Sequence, residues 1–109
     1  MHVFEVRSDE LMAAITSQAK AAGILNGAIV SLVGAVDEFT VSTMPAADAT
    51  SDILTDYAAP AEMSGTGEIV NGAVHVHVVM AVEGDKAVSG HLHRAFIRTH
   101  FARVYVVSV

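Results

Sequence analysis

The segment AVHVHVVMAV, residues 73–82, constrains the fold more than any other, because apolar and polar side chains alternate along it. Side chains of a β-strand point to opposite faces in turn, so the alternation predicts a strand with one buried face. His75 and His77 share the other face. The core face then carries five apolar residues: Val74, Val76, Val78, Met80 and Val82.

A second predicted strand, KAVSGHLH over residues 86–93, follows after a short turn, and the loop length decides which side chains meet. A two-residue loop, Gly84–Asp85, would bring histidines onto the valine face. A three-residue loop, Glu83 to Asp85, keeps apolar residues opposite apolar ones. Because register follows the hydrophobic pattern, the sequence predicts the longer loop. The pairs are then Met80 with Val88, Val76 with Leu92, His77 with His91 and His75 with His93.

His75, His77 and His91 are therefore the candidate metal ligands. Opposite residues of such a pair have Cβ atoms about 4.5–5.5 Å apart, so the three imidazoles can converge on one ion. Three neutral imidazoles suit Zn²⁺, Ni²⁺, Cu²⁺ or Fe²⁺ and leave one coordination position open; zinc is the expected metal. The alternative is that these histidines are ordinary polar surface. His93 is either a fourth ligand or a supporting residue, and His2 and His100 are expected at the surface.

The rest of the chain predicts one helix among strands. Apolar spacing indicates a helix over about residues 9–22, begun by Ser8 or Asp9 and ended by Gly23. Residues 45–60 are predicted as a connector, with a short helical turn around 52–57. Gly34 suggests a bulge or bend in its strand. The remaining predicted strands cover residues 2–7, 28–36, 39–44, 62–70 and 101–109, which favours an α+β antiparallel sheet with the helix on one face.

Composition limits the class of protein. A chain of 109 residues predicts a single domain, and 52% hydrophobic residues exceed what one small core needs. The surplus predicts a homo-oligomer. The absence of cysteine excludes disulfides and thiolate metal sites. No apolar run reaches the length of a membrane span and the first residues do not resemble a signal peptide, so the expected location is the cytoplasm.

The charge pattern argues against nucleic acid as a partner. The formal net charge is −6, and no basic residue lies between Lys20 and Lys86. Phosphate binding requires clustered Lys and Arg, and only a trimer that gathers Arg94, Arg98 and Arg103 would supply them. Two interpretations of these arginines stay open: they are ordinary surface residues, or those of one subunit meet the acidic residues of another.

Three segments, EMSGTG, GAVHVHVVMAV and AVSGHL, resemble the PPC domain, the plants and prokaryotes conserved domain. In that family a Glu-containing strand runs into a glycine, and a Gly-x-x-His-x-His strand, a short turn and Gly-Gly-His-Leu follow. Ser89 replaces the first glycine of the last motif, Pro60-Ala61 replaces a common Arg-Phe pair, and His93 lies outside the pattern. The matching residues are Glu62, Gly65, Gly72, His75, His77, Gly90, His91 and Leu92.

The resemblance implies a bent antiparallel sheet with one main helix, assembled as a homotrimer. It also implies that the clustered histidines bind a divalent metal, as in some prokaryotic members. The resulting hypothesis is a stand-alone trimeric metal-binding domain, residues 1–109, with a regulatory or ligand-sensing role.

The alternatives are a metal-dependent enzyme of unknown substrate, a DNA-binding protein of the family, and a trimerising domain that recruits another protein. An enzyme would use Glu62 as its base, although a structural carboxylate that pairs with an arginine or caps backbone N–H groups is the preferred interpretation of that residue. Plant members carry an AT-hook, and this sequence has none.

Overall fold

A computed structural model describes residues 1–109 and contains nine strands and one helix. The predicted α+β class, an antiparallel sheet with one helix, is confirmed. The elements are β1 (His2–Val6), β2 (Asp9–Glu10), α1 (Leu11–Ala21), β3 (Gly27–Val36), β4 (Glu38–Thr43), β5 (Ile53–Tyr57), β6 (Ala61–Val70), β7 (Ala73–Val82), β8 (Lys86–Ile97) and β9 (Ala102–Ser108).

The strands form one sheet in the order β1-β9-β3-β6-β7-β8-β4-β5, and β2 pairs with β8. Only Arg7 and Ser8 separate β1 from β2, although β1 and β8 lie five strand intervals apart. Five intervals would span about 24 Å in a flat sheet, whereas three residue steps reach at most about 11 Å. The sheet therefore curls, and α1 contacts β1, β2, β7 and β8 inside the curl.

The helix begins later than expected because Glu10 is its N-cap. The Glu10 carboxylate accepts hydrogen bonds from the N–H groups of Met12 and Ala13, and also from that of Ala95 on β8. The predicted caps, Ser8 and Asp9, are therefore wrong: the β2 pairing with β8 takes up the residues before the helix. The predicted end is confirmed, since the N–H of Gly23 donates to the carbonyl of Lys20.

Two further expectations are corrected. Residues 52–57 do not form a helical turn; β5 pairs with β4, and Tyr57 stacks on Phe39 with ring centroids 4.9 Å apart. The bulge of β3 lies at Val30–Ser31, where the register with both neighbouring strands shifts, and not at Gly34. Gly34 instead lies against the backbone of Ala102 on β9.

One hydrophobic core of 24 buried residues fills the inside of the curled sheet. The core face predicted for β7 is confirmed, because Val76, Val78 and Met80 are buried while Val74 and Val82 pack against the core. α1 contributes Leu11 and Ile15, which are fully buried. This single helix is too short and not apolar enough to cross a bilayer.

Candidate metal centre

The hairpin of β7 and β8 brings the predicted ligands together on the outer face of the sheet. The register with the three-residue loop is confirmed: Val82 pairs with Lys86, Met80 with Val88, and His77 with His91. His75 lies two residues before His77 and so projects from the same face.

The three imidazoles converge. Each of His75, His77 and His91 offers one ring nitrogen, and these three nitrogens lie within 4.8 Å of one another. The Nε2 atoms of His75 and His77 are 3.2 Å apart. Two nitrogens bound to one tetrahedral ion at about 2.0–2.1 Å would be about 3.3–3.4 Å apart. The donor set therefore fits a divalent ion that accepts imidazole ligands.

His93 lies beside this group, with its ring centroid 4.9 Å from that of His91, but it is not one of the three converging ligands. The predicted pairing of His75 with His93 is absent, because the β7–β8 ladder stops at His77 and His91. The register of β8 with β4 shifts between Leu92 and Arg94, which makes His93 the extra residue of a β-bulge. Its Nε2 atom lies 2.8 Å from the hydroxyl of Ser42, a buried residue of β4. A bulge of this kind re-aims a side chain.

The acidic residue next to the histidines is Glu68, which the sequence reasoning missed. Glu68 lies directly opposite His75 in the β6–β7 pair, and its Oε2 atom is 3.3 Å from Nδ1 of His75. Glu62 lies opposite Ala81, four residues along β7 from His77, or about 13 Å. It is exposed and lines a different cleft, together with Arg103.

The preferred interpretation of Glu62 is also corrected. No arginine forms an ion pair with its carboxylate, and no backbone N–H donates a hydrogen bond to it. Glu62 therefore takes part neither in the histidine group nor in a structural contact of the expected kind.

The protonation of His91 suits a metal ligand. Burial lowers the pKa of His91, and repulsion from the three neighbouring histidines lowers it further, while Asp52 acts in the opposite direction. The ring is therefore neutral at neutral pH, which is the form of histidine that binds metal ions.

Two glycines on β6 let that strand approach the backbone of the histidines. A Cβ atom added to Gly67 would lie closer than 3.0 Å to the carbonyl oxygen of His75. A Cβ atom on Gly65 would meet the carbonyl oxygen of His77 in the same way. The position of both ligands therefore depends on the absence of side chains at these two positions.

An open cleft of about 880 Å³ adjoins His77 and His91. Its walls carry few apolar side chains and several hydroxyl groups, and Asp52 is its only acidic side chain; the hydroxyl groups belong to Ser42, Thr43, Ser64, Thr66 and Ser89. A cleft of this volume holds a small molecule. A ligand in it would contact the same side of the sheet as the two histidines.

The three C-terminal arginines do not form one patch within the chain. Each lies near a carboxylate on a different strand: Arg94 pairs with Asp56, Arg98 with Glu38 and Arg103 with Glu5. The charges of Arg94 and Arg98 are thus offset locally, whereas Arg103 shares Glu5 with Arg7. His2 and His100 are exposed and outside the histidine group, as predicted.

Several solved structures share the fold. A candidate DNA-binding protein of Ralstonia eutropha JMP134 superposes with a TM-score of 0.84 at 18% identity, over 98% of this chain and 76% of that one. The plant- and prokaryote-conserved protein of Pyrococcus horikoshii gives 0.82 at 18% identity, over 99% and 79%. A metal-containing protein of Archaeoglobus fulgidus gives 0.75 at 20% identity, over 98% and 79%.

The sequence itself matches a known family along its whole length. No curated protein is similar enough to count as a match. The family model of the Plants and Prokaryotes Conserved (PCC) domain, the PPC domain of the sequence analysis, matches residues 1–109. The curled sheet, the single helix and the histidine hairpin agree with that assignment, and the chain belongs to the PCC domain family.

Proposed function

We propose that this chain binds a divalent metal, zinc being the expected one, through His75, His77 and His91. The observation that carries the proposal is the convergence of three imidazoles whose ligand nitrogens lie within 4.8 Å. The metal-containing relative from Archaeoglobus fulgidus supports it. A zinc ion bound to three neutral imidazoles keeps an open coordination position and acts as a Lewis acid.

Calorimetric titration of metal-free, untagged protein with Zn²⁺ tests the site. We expect saturable binding of one ion per chain, a large loss of affinity in His77→Ala, and no loss in the control His100→Ala. His93→Ala should retain most of the affinity, because Ser42 already engages that ring. Binding no tighter than about millimolar, or binding that His77→Ala leaves unchanged, would refute the proposal.

The proposal includes assembly as a homotrimer. Exposed apolar side chains support it, among them Val33 and Val79 on the outer face and Ile53 and Leu54 on the edge strand β5. Large exposed apolar areas on a small domain usually mark an interface. Light scattering should give about three times the chain mass of 11.4 kDa, and a monomer at micromolar concentration would contradict this part.

A regulatory or ligand-sensing role in the cytoplasm completes the proposal. The cleft supports it, since a small molecule bound there would lie beside His77 and His91, two of the three proposed ligands. A metal-dependent enzyme is the alternative that the same cleft favours. Glu68, the carboxylate that contacts Nδ1 of His75, does not line this cleft. Turnover of a substrate by the zinc-loaded protein would favour the enzyme alternative over a regulatory or ligand-sensing role.

DNA binding is the other alternative, and the names of two relatives favour it: the Ralstonia eutropha and Bacteroides thetaiotaomicron proteins are both described as candidate DNA-binding proteins. In this chain the net charge of −6 and the pairing of Arg94 and Arg98 with carboxylates oppose it. Contacts to DNA phosphates require free cationic side chains. A gel shift with nanomolar preference for one DNA sequence at physiological salt would favour this alternative.

A further inference from the structure

We infer that Glu68 is a positioning residue for the metal centre: it selects the tautomer of His75 that presents Nε2 to the ion. This inference rests on the proposed function. The two residues are directly opposite each other on β6 and β7, and their side chains project from the outer face. The two side chains are about half exposed, at 56% for Glu68 and 46% for His75.

The contact fixes which nitrogen of His75 carries the proton. An ionised carboxylate only accepts hydrogen bonds, so its contact with the ring requires that Nδ1–H donates to Oε2 of Glu68. A neutral imidazole carries one N–H, which leaves the lone pair on Nε2. That atom is the one that lies 3.2 Å from Nε2 of His77. Glu68 thus holds the ring with its metal-binding nitrogen toward the other ligands.

His75 is the ligand that most needs such support. His77 and His91 are paired with each other in the β7–β8 ladder, but the ladder ends there and His75 lies beyond it. The bulge at His93 removes the residue that a regular hairpin would place opposite His75. The strand that flanks His75 on its other side is β6, and Glu68 is the residue of β6 that faces it.

A purely structural contact would have different consequences. Ion pairs between exposed side chains contribute little to stability. Loss of Glu68 should therefore leave the thermal unfolding of the protein nearly unchanged. Partners that orient a metal-binding histidine, by contrast, change metal affinity by about 10–100-fold when removed. The exposure of this pair places the expected effect near the lower end of that range.

The test compares Glu68→Ala, Glu68→Gln and the control Glu62→Ala, which removes a carboxylate from the same face of the same strand. Zinc affinity is measured by calorimetry. The tautomer of each histidine is read from the ¹⁵N chemical shifts of its ring in metal-free protein, which needs no bound ion.

We expect Glu68→Ala to weaken zinc binding about tenfold and to abolish the Nδ1–H preference of His75. Glu68→Gln should retain most of both, because the amide oxygen still accepts the hydrogen bond, and Glu62→Ala should change neither. Unchanged affinity or an unchanged tautomer in Glu68→Ala would overturn the inference. If His77→Ala still lost zinc in that case, the proposed function would stand. If wild-type protein failed to bind zinc, the proposed function would fail and the inference with it.

Discussion

Replacement of Gly67 by alanine should damage the histidine centre through the backbone, without touching a histidine. A Cβ atom at this position would lie closer than 3.0 Å to the carbonyl oxygen of His75 and 3.0 Å from Cα of Val76. Neither atom belongs to a flexible side chain, so β6 and β7 must separate locally. The displaced carbonyl belongs to one of the proposed ligands.

The size of the effect follows from two opposing terms. Overpacking that forces backbone shifts costs about 1–3 kcal/mol. Alanine also restricts the unfolded chain, which stabilises the folded state by about 0.4–1 kcal/mol where the backbone conformation is compatible. The midpoints of the two ranges give a net loss of unfolding free energy of about 1.3 kcal/mol, which lowers the Tm of a domain of this size by roughly 5–10 °C.

Thermal unfolding and zinc calorimetry of Gly67→Ala give the two readouts, with Gly27→Ala as the matched control. Gly27 also lies in a strand, but its added Cβ would lie 3.1 Å from the carbonyl oxygen of Val107, a milder contact with β9, on the side of β3 away from β6 and the histidines. We expect the control to lose little stability and to keep its zinc affinity. Equal stability and equal zinc affinity in both variants would show that the reasoning is wrong.

Two other predictions follow from the fold. Val76→Asp should prevent folding because it buries an unpaired charge in the core, whereas His75→Gln on the opposite face should leave the fold intact; circular dichroism that showed the two variants equally folded would contradict the face assignment. Hydrogen bonds from the Thr99 hydroxyl, the Thr99 N–H and the Arg98 N–H lower the pKa of Asp37 from 3.8 to about 2. Because the pKa is lower in the folded state, this carboxylate stabilises the protein above pH 3.8 and loses that effect as the pH falls toward 2. Asp37→Asn should therefore be less stable than wild type at pH 7, and the difference in Tm should shrink between pH 4 and pH 2; a constant difference would argue against this role.

The sequence predicts this fold best where its pattern is local. Valine and histidine alternate in β7 with period two, so a register slip of one residue would exchange the buried and exposed faces. This alternation therefore predicts both the core face and the pairing of His77 with His91. The sequence does not predict β5, because its exposed residues, such as Leu54, show no alternation of apolar and polar side chains. The strand is held by contacts with β4, among them the stacking of Tyr57 on Phe39, which no local pattern reveals.

The sequence contains a signal for the pairing of Glu68 with His75 but none for the bulge at His93. Asn71 and Gly72, both with positive φ, form a two-residue hairpin turn between Val70 and Ala73. Counting back from that turn places Glu68 opposite His75, so the Asn-Gly signal identifies the carboxylate. The bulge at His93 depends on β4, which pairs with β8 from far along the chain, and no local signal indicates it.

The place of β9 in the sheet has a consequence for how the chain folds. β9 lies between β1 and β3, and both neighbours precede it by more than 60 residues, since His2 pairs with Val106 and Gly27 with Ser108. Contacts of such sequence separation make folding slow. During synthesis β1 and one edge of β3 have no strand partner until β9 has emerged, and unpaired edges of this kind are prone to aggregate. The N-terminal half should therefore depend on chaperones or rapid synthesis until β9 closes the sheet.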